Sequence, residues 1–293
     1  MILDLIKRIS YASTNSEEIL HVTKEEVATL NAEDLSVLHS IMIGPHVSLA
    51  LAVLQRIGFF ADLIPEIQAG LDLKSSKHFK EIWPHTIRVV GQTPPNINVR
   101  WAALFHDLGK AQAFDIKSNK VTFHHHEHIS AVIFDKFAKR TGIFSSGQRR
   151  SIRFLVANLG YVEAYESTWT DTAVRRFDKE VGIFLDDLLT LSEADITTSK
   201  PENKRRILRR IQELKDRIAD IREKDSKQCL LPKGLGNAIA DNLGIPLGPK
   251  IGQLRKELEG KVERGELSAN EDITYYIDYL KTSQVEKVTT TQT

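Results

Sequence analysis

Three features of the sequence predict an all-α fold. Apolar residues recur at helical spacing through most of the chain, and strand-like alternation is nearly absent. A late stretch also carries one unbroken apolar seam, long enough for about six helical turns.

In chain order, Ser48 to Ile57 (SLALAVLQRI) is rich in Leu and Ala, and Gly58 is placed to end that helix. Asn98 to Phe105 (NVRWAALF) carries Val99, Ala102, Ala103 and Phe105, consistent with one buried face. The only strand candidate is Lys120 to Phe123 after Ser118–Asn119, at most a short hairpin arm. Ser145–Ser146–Gly147 reads as a turn, after which Arg149–Arg150 leads into a helical stretch from Ser151 to Val156. From Asn203 to Lys224 the seam residues Ile207, Ile211, Leu214, Ile218 and Ile221 alternate spacings of four and three. Leu231-Pro232-Lys233-Gly234 and Gly244-Ile245-Pro246-Leu247-Gly248-Pro249 punctuate two short helices, with Pro249 suited to a first helical position. The free N–H groups after Pro249 could receive an anion, although an ordinary loop-to-helix start accounts for the same residues. The resulting organisation is an N-terminal helical segment (1–75), a central helical domain (76–200), and a C-terminal helical body with the long helix (201–280). A tail (281–293) lacks periodicity and is expected to be frayed or disordered.

Composition narrows the function. Forty Lys and Arg against 39 Asp and Glu leave a formal charge of +1, so no global field steers the 293-residue chain to nucleic acid or to anionic membrane. The single cysteine, Cys229, can form neither an internal disulfide nor a thiolate zinc cluster, and reads as a small apolar filler. No apolar run approaches the ~18 residues of a membrane span. In MILDLIKRIS the basic Lys7 and Arg8 follow a very short apolar patch, the wrong order for a signal peptide. A soluble cytoplasmic protein is expected. Locally the balance shifts: Thr197 to Lys227 holds 11 Lys/Arg and six Asp/Glu. A charge-laced solvated helix explains that excess, and a phosphate-backbone contact surface is the functional alternative. The seam could pack internally or against a second copy, so a homo-oligomer remains open.

The residues able to do chemistry lie mid-chain. His106 and Asp107 adjoin at the end of the WAALF helix, followed by Leu108-Gly109-Lys110. Neighbouring helical side chains diverge by about 100°, yet both can reach one ion at a helix end, where Gly109 relaxes the backbone. An imidazole with a carboxylate suits Mn, Fe, Co, Ni, Zn or, with fewer histidines, Mg. His85 in WPHTIRVV and Asp195 in LSEADITT sit in apolar helical text, where burial is costly unless the group is paired or ligating. Arg175 and Arg176 in TAVRRFDKEVG point to different sides of a helix. At most one can grip a phosphate in the cleft, and a salt bridge to Asp178 or Glu180 is the competing use.

A lone His before an apolar helix, then HDLGK, then an Asp in an EAD context resembles the HD superfamily of metal-dependent phosphohydrolases. FFADLIPE, WPHTIRVV, HDLGK, FHHHEHISA, AVRRFDKEVG, LSEAD and LGIPLGPKIG also follow the order of the bacterial poly(A) polymerase/CCA-adding tRNA nucleotidyltransferase family, over Ser48 to Asn270. The resemblance implies an HD-domain helical core with N- and C-terminal helical extensions. It makes His85, His106, Asp107 and Asp195 metal ligands, and Lys110 a phosphate-neutralising partner. In FHHHEHISA the family's Gly-His-Glu aligns with His125, His126 and Glu127, so His126 becomes the candidate for a fifth ligand or a second metal. The sequence departs from the pattern at His125, which replaces the Gly, and at Asn158, where a further His is often found; a one-metal site is therefore expected. His124, His125 and His128 are not implied as ligands, and no His follows Glu127 by three as an H-E-x-x-H site requires.

The Gly-Ser signature and Asp-x-Asp pair of the family's nucleotidyltransferase head do not occur in this sequence, so nucleotide addition is not expected. The resemblance implies metal-assisted hydrolysis of a nucleotide, cyclic nucleotide or RNA-terminal phosphate, with Asp107 and Lys110 as the catalytic pair. The alternatives are a non-catalytic tRNA/RNA-binding or scaffold protein, or a subunit working beside a separate nucleotidyltransferase chain.

Overall fold

The computed structural model describes residues 32–67, 82–117, 120–228 and 230–289, together with Asp4, Lys7, Arg8 and Tyr11. Among the described residues the fold is all-α apart from one two-stranded hairpin. Cys229, the residues before the first helix other than those four, and 290–293 lie outside this description. The chain divides into two compact units, residues 1–215 and 216–293, and the division falls inside the long helix.

In the first unit α1 (Ala32–Ile43), α2 (Val47–Arg56) and the one-turn α3 (Phe60–Leu63) precede α4 (Ile82–Gln92) and α5 (Ile97–Phe105). Every residue of α5 from Val99 to Phe105 is buried, as expected of a helix enclosed on all sides. Asn96 caps its start by accepting from the N–H groups of Asn98 and Val99. The hairpin pairs β1 (Phe114–Lys117) antiparallel with β2 (Lys120–Phe123), in the register Phe114↔Phe123. α6 (His126–Thr141), α7 (Ser146–Glu163), α8 (Asp171–Val181) and α9 (Leu185–Ala194) follow. Helix α5 packs against α1, α4, α6, α7 and α9.

An aromatic cluster of Trp101, Phe105, Phe134, Phe137 and Phe144 fills the space around α5, with the Trp101 and Phe144 ring centroids 5.1 Å apart. The Trp101 indole donates to His39 Nδ1 at 3.0 Å, so the His39 Nε2–H is left to donate to the Ile143 carbonyl at 2.9 Å. Arg100 is the buried exception on α5. Its guanidinium donates to the carbonyls of Met42, Gly44 and Thr93, which replace the water it loses.

Two helices outrun their sequence signal. Helix α7 begins five residues before Ser151, because Ser145 and Gln148 form a reciprocal capping box. The long helix α10 spans Pro201–Gln228, and Ile211, Leu214, Ile218 and Ile221 of its seam are all buried within the single chain.

In the second unit α11 (Leu235–Leu243), α12 (Pro249–Glu263) and α13 (Ile273–Thr289) surround Leu235, Ile239, Ile251, Leu258, Tyr276 and Leu280. The buried Tyr276 hydroxyl donates to the Ser268 carbonyl at 2.7 Å. Gly234 and Gly244 flank α11 in left-handed conformations that glycine adopts without a Cβ clash. Helix α13 extends over residues 281–289, the first part of the stretch that lacks apolar periodicity in the sequence. Extending an existing helix adds one backbone hydrogen bond per residue fixed and needs no apolar periodicity. Among the described residues no helix is long and apolar enough to cross a membrane.

Candidate metal centre

Four side chains from three chain segments converge on one point of the first unit. His85 enters from the first turn of α4. His106 and Asp107 follow directly on α5, where the His106 N–H closes the last helical bond to Ala102. At Asp107 the helix gives way to a 3-10 turn, Leu108–Ala111, whose change of pitch lets adjacent side chains meet. Asp195 follows the end of α9, its N–H bonded to Leu191.

Two contacts lock this arrangement. Gln92 of α4 donates to the Ala194 carbonyl at 2.6 Å, setting α4 beside the end of α9. Asn96, before α5, donates to Asp187 at 2.8 Å near the start of α9.

The donor atoms form a compact set. His85 Nε2 lies 3.2 Å from His106 Nε2, 3.4 Å from Asp107 Oδ2 and 3.0 Å from Asp195 Oδ1. His106 Nε2 lies 3.4 Å from Asp107 Oδ2 and 3.3 Å from Asp195 Oδ1. A divalent ion with bonds of about 2.1 Å has ligand–ligand edges of roughly 3.0–3.4 Å, so His85, His106 and Asp107 are spaced for one shared ion, and Asp195 reaches the two imidazoles of that set. Asp195 Oδ1 is moreover buried without a properly aligned hydrogen bond, an orphan that an ion would satisfy.

The imidazoles are turned for ligation. His106 Nδ1 lies 2.8 Å from the Ala103 carbonyl, which can only accept, so Nδ1 carries a proton and Nε2 faces the centre. His85 Nδ1 is held by the Thr197 hydroxyl at 3.0 Å. Burial alone would lower the His106 pKa, but the carboxylates of Asp107 and Asp195 raise it to about 9. Burial would raise the Asp107 carboxyl, yet His106, His126 and Lys110 hold it far below the usual carboxylate range. Asp195 is likewise held low against its burial by His106 and His85. Both carboxylates are therefore ionised at neutral pH.

Lys110 Nζ reaches Asp107 Oδ2 at 2.6 Å. His126 stands at the other oxygen, its Nε2 3.5 Å from Asp107 Oδ1, with Nδ1 bonded to the Phe123 carbonyl at 3.0 Å. His125 adopts a left-handed backbone (φ 60°), the conformation that glycine takes most easily, which accounts for the glycine of the family pattern at this position. His124, His125 and His128 are exposed. The Asn158 side chain bonds back to the Phe154 carbonyl within α7. Arg175 and Arg176 are exposed on α8; Arg176 pairs with Glu180 at 2.8 Å, and neither lines the cavity at the centre.

That cavity, about 480 Å³ and open to solvent, is lined by His85, Asp107, Lys110, Phe123, Thr197 and the exposed Arg88. Arg88, one turn beyond His85 on α4, has no motif to mark it in the sequence. Neither has Thr197 nor Ser130, whose hydroxyl joins Gly109 to His106.

Residues 85–170 match the HD domain family model. The chain is 23% identical over 251 residues to the A-adding tRNA nucleotidyltransferase of Deinococcus radiodurans, covering 82% of this chain and 56% of that protein. It is 24% identical over 249 residues to the CC-adding tRNA nucleotidyltransferase of Thermus thermophilus, covering 82% of this chain and 54% of that protein. The chain thus spans about half the length of the curated relatives it matches. Residues 85–170 are thus similar to the HD domain family, in a chain that resembles the bacterial A-adding and CC-adding tRNA nucleotidyltransferases.

Proposed function

We propose that this chain is a metal-dependent phosphohydrolase whose centre holds one divalent ion through His85, His106, Asp107 and Asp195. The observation that carries the reading is the cluster of His85, His106 and Asp107, with donor spacings of 3.2–3.4 Å, and Asp195 Oδ1 at 3.0 and 3.3 Å from the two imidazoles. Helix position supports it. Both α5 and α9 end at the site, and the partial negative charge of a helix C-terminus favours a cation. Two imidazoles with two carboxylates suit Mn, Fe, Co, Ni or Zn better than Mg.

When bound, such an ion lowers the pKa of its water from 15.7 toward about 7 and polarises a phosphoryl oxygen. The protein's own groups would do the rest. Asp107, ionised, accepts a hydrogen bond from the attacking water and orients it. Lys110 offsets charge developing on the phosphoryl oxygens, and Arg88 at the cavity wall can hold two of them through parallel hydrogen bonds. His126, with Nε2 3.5 Å from the far oxygen of Asp107, is the candidate for a fifth ligand. No serine or cysteine nucleophile is needed. The substrate class is a nucleotide, cyclic nucleotide or RNA-terminal phosphate, and the tRNA in the relatives' names supports an RNA partner.

Elemental analysis of purified protein, followed by turnover of p-nitrophenyl phosphate and its bis ester with Mn²⁺, Ni²⁺ or Mg²⁺, tests this. The expected result is one ion per chain and an activity abolished by Asp107→Ala. No turnover with any ion, beside salt-sensitive tRNA binding, would leave a helical RNA-binding or scaffold protein.

A further inference from the structure

The long helix α10 is charged unevenly along its length. Between Asn203 and Gln212 it carries Lys204, Arg205, Arg206, Arg209 and Arg210 and no acidic residue. A merely solvated helix pairs such cations with carboxylates three or four residues away, yet Glu202, so placed for Arg205 and Arg206, pairs with neither. Here the next acid, Glu213, is already engaged, its two oxygens accepting from the Tyr165 and Ser167 hydroxyls at 2.9 Å each. Among the described residues none of the five cations has a side-chain partner.

Arg210 stands apart from the other four. Its Nε is shielded from solvent and unpartnered, a donor costly to leave unmet. It lines a cavity of about 290 Å³ with Glu163, Ser192 and Ile207, and that cavity ends on Asp195. Arg210 thus shares a cavity with Asp195 of the proposed metal centre, and that cavity has no lining residue in common with the one lined by Arg88 and Lys110. Arg206 lies one turn before Arg210 on the same side of the helix, about 6 Å along its axis. Glu163 and Ser192 suit the hydroxyl and amino groups of a nucleoside, which leaves the anion to the arginines.

We propose that Arg206 and Arg210 form a phosphodiester-binding subsite, with Lys204, Arg205 and Arg209 extending the track, so that the centre takes the end of a single-stranded nucleic acid. The inference rests on the phosphohydrolase reading for the chemistry at the end of that strand. The binding step itself requires no turnover.

Fluorescence anisotropy with fluorescein-labelled oligouridylates of two and eight nucleotides, in EDTA and over a salt series, tests it. The wild-type chain should bind the octamer at least tenfold more tightly than the dimer. Arg206→Gln/Arg210→Gln should shrink that advantage below twofold and flatten the salt dependence by about 1.4, at roughly 0.7 per lost single-strand phosphate contact. Thermal melts check that this variant folds. Lys204→Gln/Arg205→Gln/Arg209→Gln, at exposed positions, provides a second variant expected to lose part of the advantage. A wild-type chain without length preference, or an advantage intact in both variants, overturns the subsite. Aryl phosphate turnover is read separately; its absence counts against the hydrolase reading alone, and a missing length preference counts against the subsite alone.

Discussion

Gly109 passes so close beneath His126 that a Cβ on Gly109 would lie 2.2 Å from the His126 carbonyl oxygen. The turn after Asp107 is thereby docked on the first turn of α6. Ser130 completes the contact: its hydroxyl accepts from the Gly109 N–H at 2.8 Å and donates to the His106 carbonyl at 2.8 Å. One side chain thus fixes the backbone on both sides of Asp107.

Gly109→Ala should separate these two elements. The added methyl meets backbone atoms, which cannot rotate away, so an overpacking cost of about 1–3 kcal/mol is expected. The displacement moves His126 from Asp107 and weakens metal uptake. Thermal melting and a metal titration check this together. A variant matching the wild type in both would show that the turn and α6 are not rigidly joined.

Thr197→Val keeps the shape of the side chain and removes the oxygen that holds His85 Nδ1 at 3.0 Å. Partners of this kind fix ring orientation, and their loss typically costs about 10–100-fold in metal affinity or activity. The melting temperature of the metal-free protein should move little, because Thr197 is only partly buried. An affinity within twofold of the wild type would indicate that His85 is oriented by packing alone.

The sequence exposed this site unevenly, for reasons of physics. HDLGK was legible because ligation and turn are coded by adjacent residues, and His85 and Asp195 stood out as polar groups in apolar text. Ser130, Thr197 and Arg88 left no trace, since such a group becomes functional only through neighbours distant in sequence: Ser130 is 21 residues from Gly109, and Thr197 is 112 from His85. The first turns of α7 were obscured by Gly147, Arg149 and Arg150. The Ser145-x-x-Gln148 capping box that starts this helix was nonetheless present to be read. Helix α13 continued past Lys281 because propagation, unlike nucleation, needs no apolar stripe.

Arg88 offers a prediction about substrate rather than metal. It is exposed on the cavity wall, one helical turn from His85, and no carboxylate among the described residues neutralises it. Arg88→Gln should raise KM for an aryl phosphate about tenfold while metal content stays at one ion per chain, since a guanidinium fork holds phosphate in a way an amide cannot. An unchanged KM would place the phosphate elsewhere. A fall in metal content would instead make Arg88 a structural support of α4.

The protonation of His106 provides the last test. In the metal-free protein its pKa is raised to about 9 from an ordinary 6.5, chiefly by Asp107 and Asp195 working against burial. A raised folded pKa means that the protonated ring contributes stability fully below about pH 6.5, and that this contribution is lost as pH climbs through about 9. The two carboxylates have lowered pKa values, so their contribution is present above about pH 4 and disappears only in stronger acid. The metal-free protein should therefore melt at a lower temperature at pH 10 than at pH 6.5. Metal binding has the opposite demand, because an ion needs the Nε2 lone pair that the proton occupies. Apparent affinity should rise with pH and level off near 9, and at pH 7.5 each ion bound should expel about one proton. Calorimetry in buffers of different ionisation enthalpy reads that proton directly. A binding heat independent of buffer would mean that His106 releases no proton to the buffer when the ion binds, and would remove it from the ligand set.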